Sequence, residues 1–160
     1  ACEAAAVRRL QLVRPAWQPT SVDNWIEVED GLAAARAIRE GGFSRVFLAT
    51  GRQELPAFAQ LSEVWFLVRL VDEPAQPLAL ENYDFVAGRG PFDEAEEQAL
   101  LTAHRIDVIV AKNAGGSGSW PKMAAARSLD LPVVMIRRAA SPDGEHAVSV
   151  EDVLRWVGDV

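Results

Sequence analysis

One cysteine, one tyrosine, two methionines and two histidines are all the 160 residues hold of those types. A single thiol can close neither an internal disulfide nor a cysteine zinc site, so a reducing compartment, the cytoplasm, is expected. Two isolated histidines with no Cys, Asp or Glu at ligand spacing offer a metal ion no ready site. Basic residues are also in deficit. Sixteen Lys and Arg face 23 Asp and Glu, a formal net charge of −7, whereas a nucleic-acid binder carries a basic face. Long apolar runs are missing as well. The longest, Val64-Trp65-Phe66-Leu67-Val68, falls far short of the roughly 18 residues of a membrane span, so no membrane partner is expected. No Gly-x-Ser-x-Gly elbow occurs, which leaves covalent catalysis without a candidate.

What is present describes a folded domain. Apolar residues are 49% and charged residues 24% of the chain, enough for a full core at this length and too little charge for a disordered one. The opening residues, ACEAAAVRR, carry Glu3, Arg8 and Arg9 where a signal peptide would be apolar, and no initiating Met. They read as the second half of an Ala-rich helix without a cap, with Cys2 as a small packing residue. The chain is therefore expected to be a piece of a longer protein.

Five short apolar runs recur along the chain: Val46 to Ala49, Val64 to Val68, Phe85 to Ala87, Val108 to Val110, and Val133 to Ile136. None alternates apolar with polar, so each suits a strand covered on both faces. Segments with helical spacing lie between them. Asp30 to Glu40 presents Leu32, Ala35 and Ile38 and stops at Gly41-Gly42. Asp93 to His104 opens on a capping-box pair, Asp93 and Glu96, with acids in the first turn. Ser119 to Leu129 aligns Met123, Ala126 and Leu129, and Ser149 to Val157 turns Val153, Trp156 and Val157 inward. Strands alternating with helices predict an α/β fold: a Rossmann-like, open, mainly parallel sheet flanked by helices on both faces. Residues 29–160 form that domain. Residues 1–28 form the end of a helix and a connecting segment, in which Leu10 to Val13 and Trp25 to Val28 could be short strands. Residues 139 to 147 read as a solvated loop.

Ligands of open parallel sheets bind outside the carboxyl ends of the strands. Each run is followed there by a cation: Arg52, Arg69, Arg89, Lys112, and the pair Arg137 and Arg138, six of the 16 in an acidic chain. A positive edge on a negative protein attracts a multiply charged anion, and arginine pairs bidentately with carboxylate or phosphate. The tract Gly115-Gly116-Ser117-Gly118-Ser119 would let backbone N–H groups approach such an anion. It lacks the ending of a Walker loop, and Gly88-Arg89-Gly90-Pro91-Phe92 is followed by Asp93, not the glycine of a dinucleotide fingerprint. Several residues have plainer readings. Arg137 and Arg138 taken alone read as solvated, His146 as a loop residue, and His104 as a cation suited to a helix end. The five Trp read as core or interface, with Trp120 beside the glycine tract the exception worth testing.

An ordered set of motifs resembles the precorrin-6A reductase family. It runs Arg14-Pro15-Ala16-Trp17, Thr50-Gly51-Arg52-Gln53, Gly88 to Phe92, Lys112-Asn113-Ala114-Gly115-Gly116, Lys122-Met123-Ala124-Ala125-Ala126, and Pro132 to Arg138. The family often has Ser where this chain has Ala114, so a hydroxyl there is not essential. The family's enzymes resemble two Rossmann-like domains, and their amino-terminal glycine-rich nucleotide loop is absent from this chain.

The resemblance implies NADPH-dependent reduction of a double bond of the polycarboxylate macrocycle precorrin-6A, giving precorrin-6B in cobalamin biosynthesis. This chain would be the carboxyl-terminal domain, poorly active without its amino-terminal partner domain. Cofactor would meet Thr50, Gly51, Arg52, Gln53, Gly88, Gly90, Pro91 and Phe92. Substrate would meet Arg69, Arg89, Lys112, Asn113, Gly115, Gly116, Ser117, Lys122 and Arg137. Lys112 is the candidate proton donor by type, with water an equal alternative. A nucleotide- or phosphate-sensing module without catalysis fits the same cationic edge, and a transferase for an anionic metabolite is a third reading.

Overall fold

Strands with no polar face must be covered on both sides, and that requirement shapes the molecule. The computed structural model describes residues 8–139 and 144–158; the expectations for Cys2 and the opening helix lie largely outside them. In chain order the elements are β1 (Leu10–Leu12), β2 (Trp25–Val28), α1 (Gly31–Glu40), β3 (Arg45–Ala49), a 3-10 helix (Arg52–Phe58), β4 (Trp65–Leu70), β5 (Tyr83–Ala87), α2 (Glu94–Ala103), β6 (Val108–Lys112), α3 (Pro121–Ser128), β7 (Val133–Ile136), β8 (Glu145–Ala147) and α4 (Val150–Gly158). Six strands form one sheet in the order β2-β7-β6-β3-β4-β5. Every pairing in it is parallel.

The side chains of each strand still alternate, but both sides are core. Val46 and Leu48 of β3 join Val108 and Val110 of β6 in a layer under Ala34 and Ile38 of α1 and Leu55 and Phe58 of the 3-10 helix. Phe47, Leu67 and Ile109 face the other way, beneath Leu101 of α2 and Met123, Ala125 and Ala126 of α3. The expected α/β sheet with helices on both faces is the fold observed.

The helix ends follow local chemistry. Asp30 caps α1 by accepting from the Ala33 N–H at 2.8 Å. Asp93 and Glu96 form the complete capping box of α2. Gly42 takes φ +67° just past α1, the left-handed conformation that ends a helix at little cost for glycine.

Four details differ from the sequence expectation. Trp25–Val28 is an edge strand hydrogen-bonded to β7, so the sheet begins before residue 29. Leu32 is 60% exposed, and Ala34 with Ile38 forms the buried face of α1; a helix of small residues packs close to the sheet and leaves the larger leucine outside. Leu129 lies past the end of α3 as its carboxyl cap and is partly exposed. Glu145–Ala147, expected in a loop, forms β8 and pairs in parallel with β1.

That small ribbon explains α4. Val153 and Trp156 are half-buried, but Val157 is 58% exposed rather than inward. β1 and β8 are the strands that α4 meets, and two three-residue strands are too small to cover an amphipathic helix.

Candidate functional site

The loops after β3, β4 and β5, together with the approach to α3, enclose a cleft of about 1110 Å³ at the carboxyl edge of the sheet. It lies where an open parallel sheet presents its ligand site. Thr50, Gly51 and Arg52 come from the first loop, Arg69 from the end of β4, Gly88, Arg89, Gly90 and Phe92 from the third loop, and Lys122 from α3. Those nine expected site residues are brought together. Gln53, Pro91, Lys112, Asn113, Gly115, Gly116, Ser117 and Arg137 are not among the lining residues.

The cations are not the unopposed rim that the sequence suggested. Arg69 pairs with Glu97, Arg89 with Asp72 at 3.5 Å, Lys112 with Glu54 at 2.5 Å, and Arg137 with Glu29. The physical reason is the acidic excess: each of these four finds a carboxylate within reach, while Arg52 and Arg138 bond to backbone carbonyls. These pairs are not equivalent. Arg89–Asp72 and Arg137–Glu29 are exposed on both sides, so solvent screens them and a ligand anion can exchange with the acid at small cost. Arg52 donates to the Asp72 carbonyl at 3.0 Å, which fastens the β4–β5 connection over the cleft.

Arg69 and Glu97 form the buried pair. The Arg69 guanidinium lies 4.9 Å from the Phe47 ring centroid and 4.1 Å from that of Phe92, so stacking fixes its plane. Glu97 is only 2% exposed. Its Oε1 accepts from Arg69, while Oε2 is buried without a hydrogen-bond partner. Thr50 Oγ1 is likewise buried and unpartnered. Two unanswered polar atoms in one cleft wall fit a polar ligand that supplies the missing partners.

Lys122 stands beside that pair. Its Nζ donates to the Ser119 carbonyl at 3.0 Å and lies 5.9 Å from the Trp17 ring centroid. Burial pushes its ammonium down to about 8, the Glu97 carboxylate pulls it back up, and the Arg69 cation lowers it again.

The glycine tract does something else. Asn113 accepts from the Trp17 N–H and donates to the Trp17 carbonyl, both at 2.9 Å. The Trp17 indole donates to the Gly116 carbonyl at 2.7 Å. Gly115 has φ +67°, and a Cβ there would collide with the Pro15 carbonyl. Arg138 donates to the carbonyls of Arg14, Ala114 and Asn113. The Arg14-Pro15-Ala16-Trp17 motif and the Lys112-to-Gly116 motif are thus two halves of one clamp. Trp120 stands edge-on to Trp17, centroids 5.7 Å apart, as a packing partner rather than a stacking platform. His104 caps α2 and stacks on Trp65 at 5.9 Å, consistent with the structural role expected of it.

Glu97, like Asp72 and Glu73, lines the cleft and was missed by sequence reasoning. In the chain it is one of three acids in the first turn of α2, indistinguishable from those that merely suit the dipole. Among the described residues no three His, Cys, Asp or Glu side chains gather to hold a metal ion, and no helix is long and apolar enough to cross a membrane.

Comparison with known proteins agrees with this architecture. The chain is 41% identical over 162 residues to the precorrin-6A reductase of Rhodococcus erythropolis, covering 99% of this chain and 64% of that protein. It is 41% identical over 159 residues to the Rhodobacter capsulatus precorrin-6A reductase, covering 99% and 63%. A solved structure described as CobK precorrin-6A reductase superposes with TM-score 0.94 at 39% identity, over 99% of this chain and 64% of that one. The chain thus spans just under two thirds of the length of these relatives. The family model for precorrin-6x reductase CbiJ/CobK matches residues 1–158, and the chain belongs to that family.

Proposed function

We propose that this chain is the carboxyl-terminal part of a cytoplasmic NADPH-dependent precorrin-6A reductase, which reduces a macrocycle double bond to give precorrin-6B in cobalamin biosynthesis. The observation that carries the proposal is the cleft of about 1110 Å³, with Arg52, Arg89 and Lys122 on its wall, in a chain of this family. A tetrapyrrole bearing several carboxylates is the kind of anion that such a wall takes up. The Arg89–Asp72 pair, open to solvent, would give way to a substrate carboxylate.

The residues present also fit a nucleotide cofactor. Gly51 has φ +84° with open space where its Cβ would stand, and Thr50 Oγ1 awaits a partner. Thr50, Gly51, Arg52 and Gly88 to Phe92 would hold the cofactor's reacting end, and bound NADPH supplies hydride. The dinucleotide's other end would rest on the amino-terminal domain of the longer polypeptide. Asn113, Gly115 and Gly116 would act by holding the Trp17 clamp, and Lys112 and Arg137 would act only at the margin of the site.

The test is NADPH oxidation followed spectroscopically with precorrin-6A. The full-length polypeptide should consume NADPH only when the precorrin is present, and the 160-residue chain alone should not. Calorimetry should show weak binding of NADPH to this chain by itself. Failure of the full-length protein to turn over overturns the reading.

A further inference from the structure

Reduction of a carbon–carbon double bond needs a proton as well as a hydride. The candidate by residue type, Lys112, is disqualified by position: it faces Glu54 at 2.5 Å and does not line the cleft. Water can reach the cleft, but a general acid fixed in position adds about 100-fold or more in rate. Lys122 remains: of the other cleft-wall cations, Arg69 and Arg89 are paired with acids and Arg52 donates to the Asp72 and Glu73 carbonyls, and a guanidinium does not release its proton near neutral pH.

We propose that Lys122 is the catalytic acid of the reduction, passing a proton from Nζ to the ring carbon next to the one that receives hydride. The step balances. The double bond becomes single, one carbon takes hydride from the dihydronicotinamide and its neighbour takes the lysine proton. The cofactor is oxidised, and the neutral amine left behind is reprotonated from solvent through the mouth of the cleft. The donor role rests on the reductase reading above.

Three observations support it. First, Nζ is anchored by one hydrogen bond, to the Ser119 carbonyl at 3.0 Å; an ammonium carries three donors, so others can turn to a ligand. Second, its surroundings are built. Glu97 from α2, 2% exposed with Oε2 unpartnered, and Arg69 from β4 are the charged groups that face it from the packed elements. Glu97 keeps the amine protonated at neutral pH, and Arg69 prevents the carboxylate from taking Lys122 as a fixed partner. Third, burial brings the group to about 8, close to working pH, where a general acid gives up its proton most readily while remaining largely charged.

The test uses the full-length enzyme with NADPH and precorrin-6A. Lys122→Met keeps the stem and removes the proton; Lys122→Arg keeps the charge but cannot release one. Both should lower kcat by about 100-fold or more, the usual contribution of a general acid, and in Lys122→Arg, which keeps the charge, the dissociation constants for NADPH and precorrin-6A should change less than about threefold. The wild-type kcat should decline as pH rises through about 8, and Glu97→Gln should move that limb to lower pH. Carbon-13 NMR of labelled lysine gives the readout without turnover: one resonance, missing in Lys122→Met, should titrate near 8. Near-normal kcat in both variants, or a loss confined to substrate affinity, overturns the donor role and leaves the reductase reading standing. A wild type without precorrin-dependent turnover overturns both.

Discussion

Asn113 and Trp17, 96 positions apart, close a reciprocal pair of hydrogen bonds in which one buried carboxamide takes both the N–H and the carbonyl of a single peptide residue. The geometry copies a strand pairing at a point where no strand runs. It fastens the segment after β1 to the end of β6.

Removing that clamp should loosen the fold. Asn113→Ala leaves two backbone groups of Trp17 without partners in the interior and should cost about 2–3 kcal/mol of stability. Urea unfolding with tryptophan fluorescence measures it. Gly115→Ala should act in the same direction, because φ is +67° there and the new methyl meets the Pro15 carbonyl. An unchanged midpoint in both variants would contradict the clamp.

Arg69 and Glu97 should depend on each other more than on solvent. Arg69→Met strands a carboxylate that is 2% exposed, for which roughly 3–5 kcal/mol of destabilisation is expected. Adding Glu97→Gln should restore a large part of it. Thermal melts of the two single variants and the double variant form the cycle, and additive losses would show that the pair is not coupled.

Arg89 and Lys112 separate the cleft from its margin. The sequence alone treats both as anion ligands of similar weight. Arg89→Ala in the full-length enzyme should raise the precorrin-6A KM about fivefold, the scale of one exposed charge pair. Lys112→Ala should change it less than about twofold, because Lys112 lies off the cleft against Glu54. Equal effects from the two substitutions would return Lys112 to the site.

Acid should release the segment before β2 from its tie to α3. Burial raises the Asp23 carboxyl, but the Arg127 guanidinium and the backbone and hydroxyl of Thr20 together outweigh it and hold the group below its ordinary 3.8. A carboxylate with a depressed folded value contributes stability that is present above 3.8 and drains away as pH falls through the folded value. The stability gap between wild type and Asp23→Asn should therefore be widest near neutrality and shrink below 3.8, as measured by urea unfolding at stepped pH. A gap independent of pH would exclude Asp23 from the acid transition.

Much of this molecule is written locally. The apolar runs at β3, β4, β6 and β7, the Asp30 cap and the Asp93–Glu96 box are decided by neighbours within a few positions, so their elements are legible from the chain. The ordered motifs also carried the family. Less local features misled. Leu32 looked like core because periodicity counts apolar residues without knowing how near the sheet lies. Glu145–Ala147 looked like loop because its pairing partner, β1, is more than 130 residues upstream in the chain.

By itself the sequence determined the parallel sheet, its coverings and the carboxyl edge as the place for chemistry, since those follow from strand apolarity and chain direction. Tertiary structure alone decided which cations face the cleft. Charge type is a property of a residue, but whether a charge is free, paired or buried is a property of what the fold sets beside it. That is why Lys112 and Lys122, alike in the chain, part company in space: one meets Glu54 outside the cleft, and the other lines it, half desolvated, between Trp17 and the Arg69–Glu97 pair.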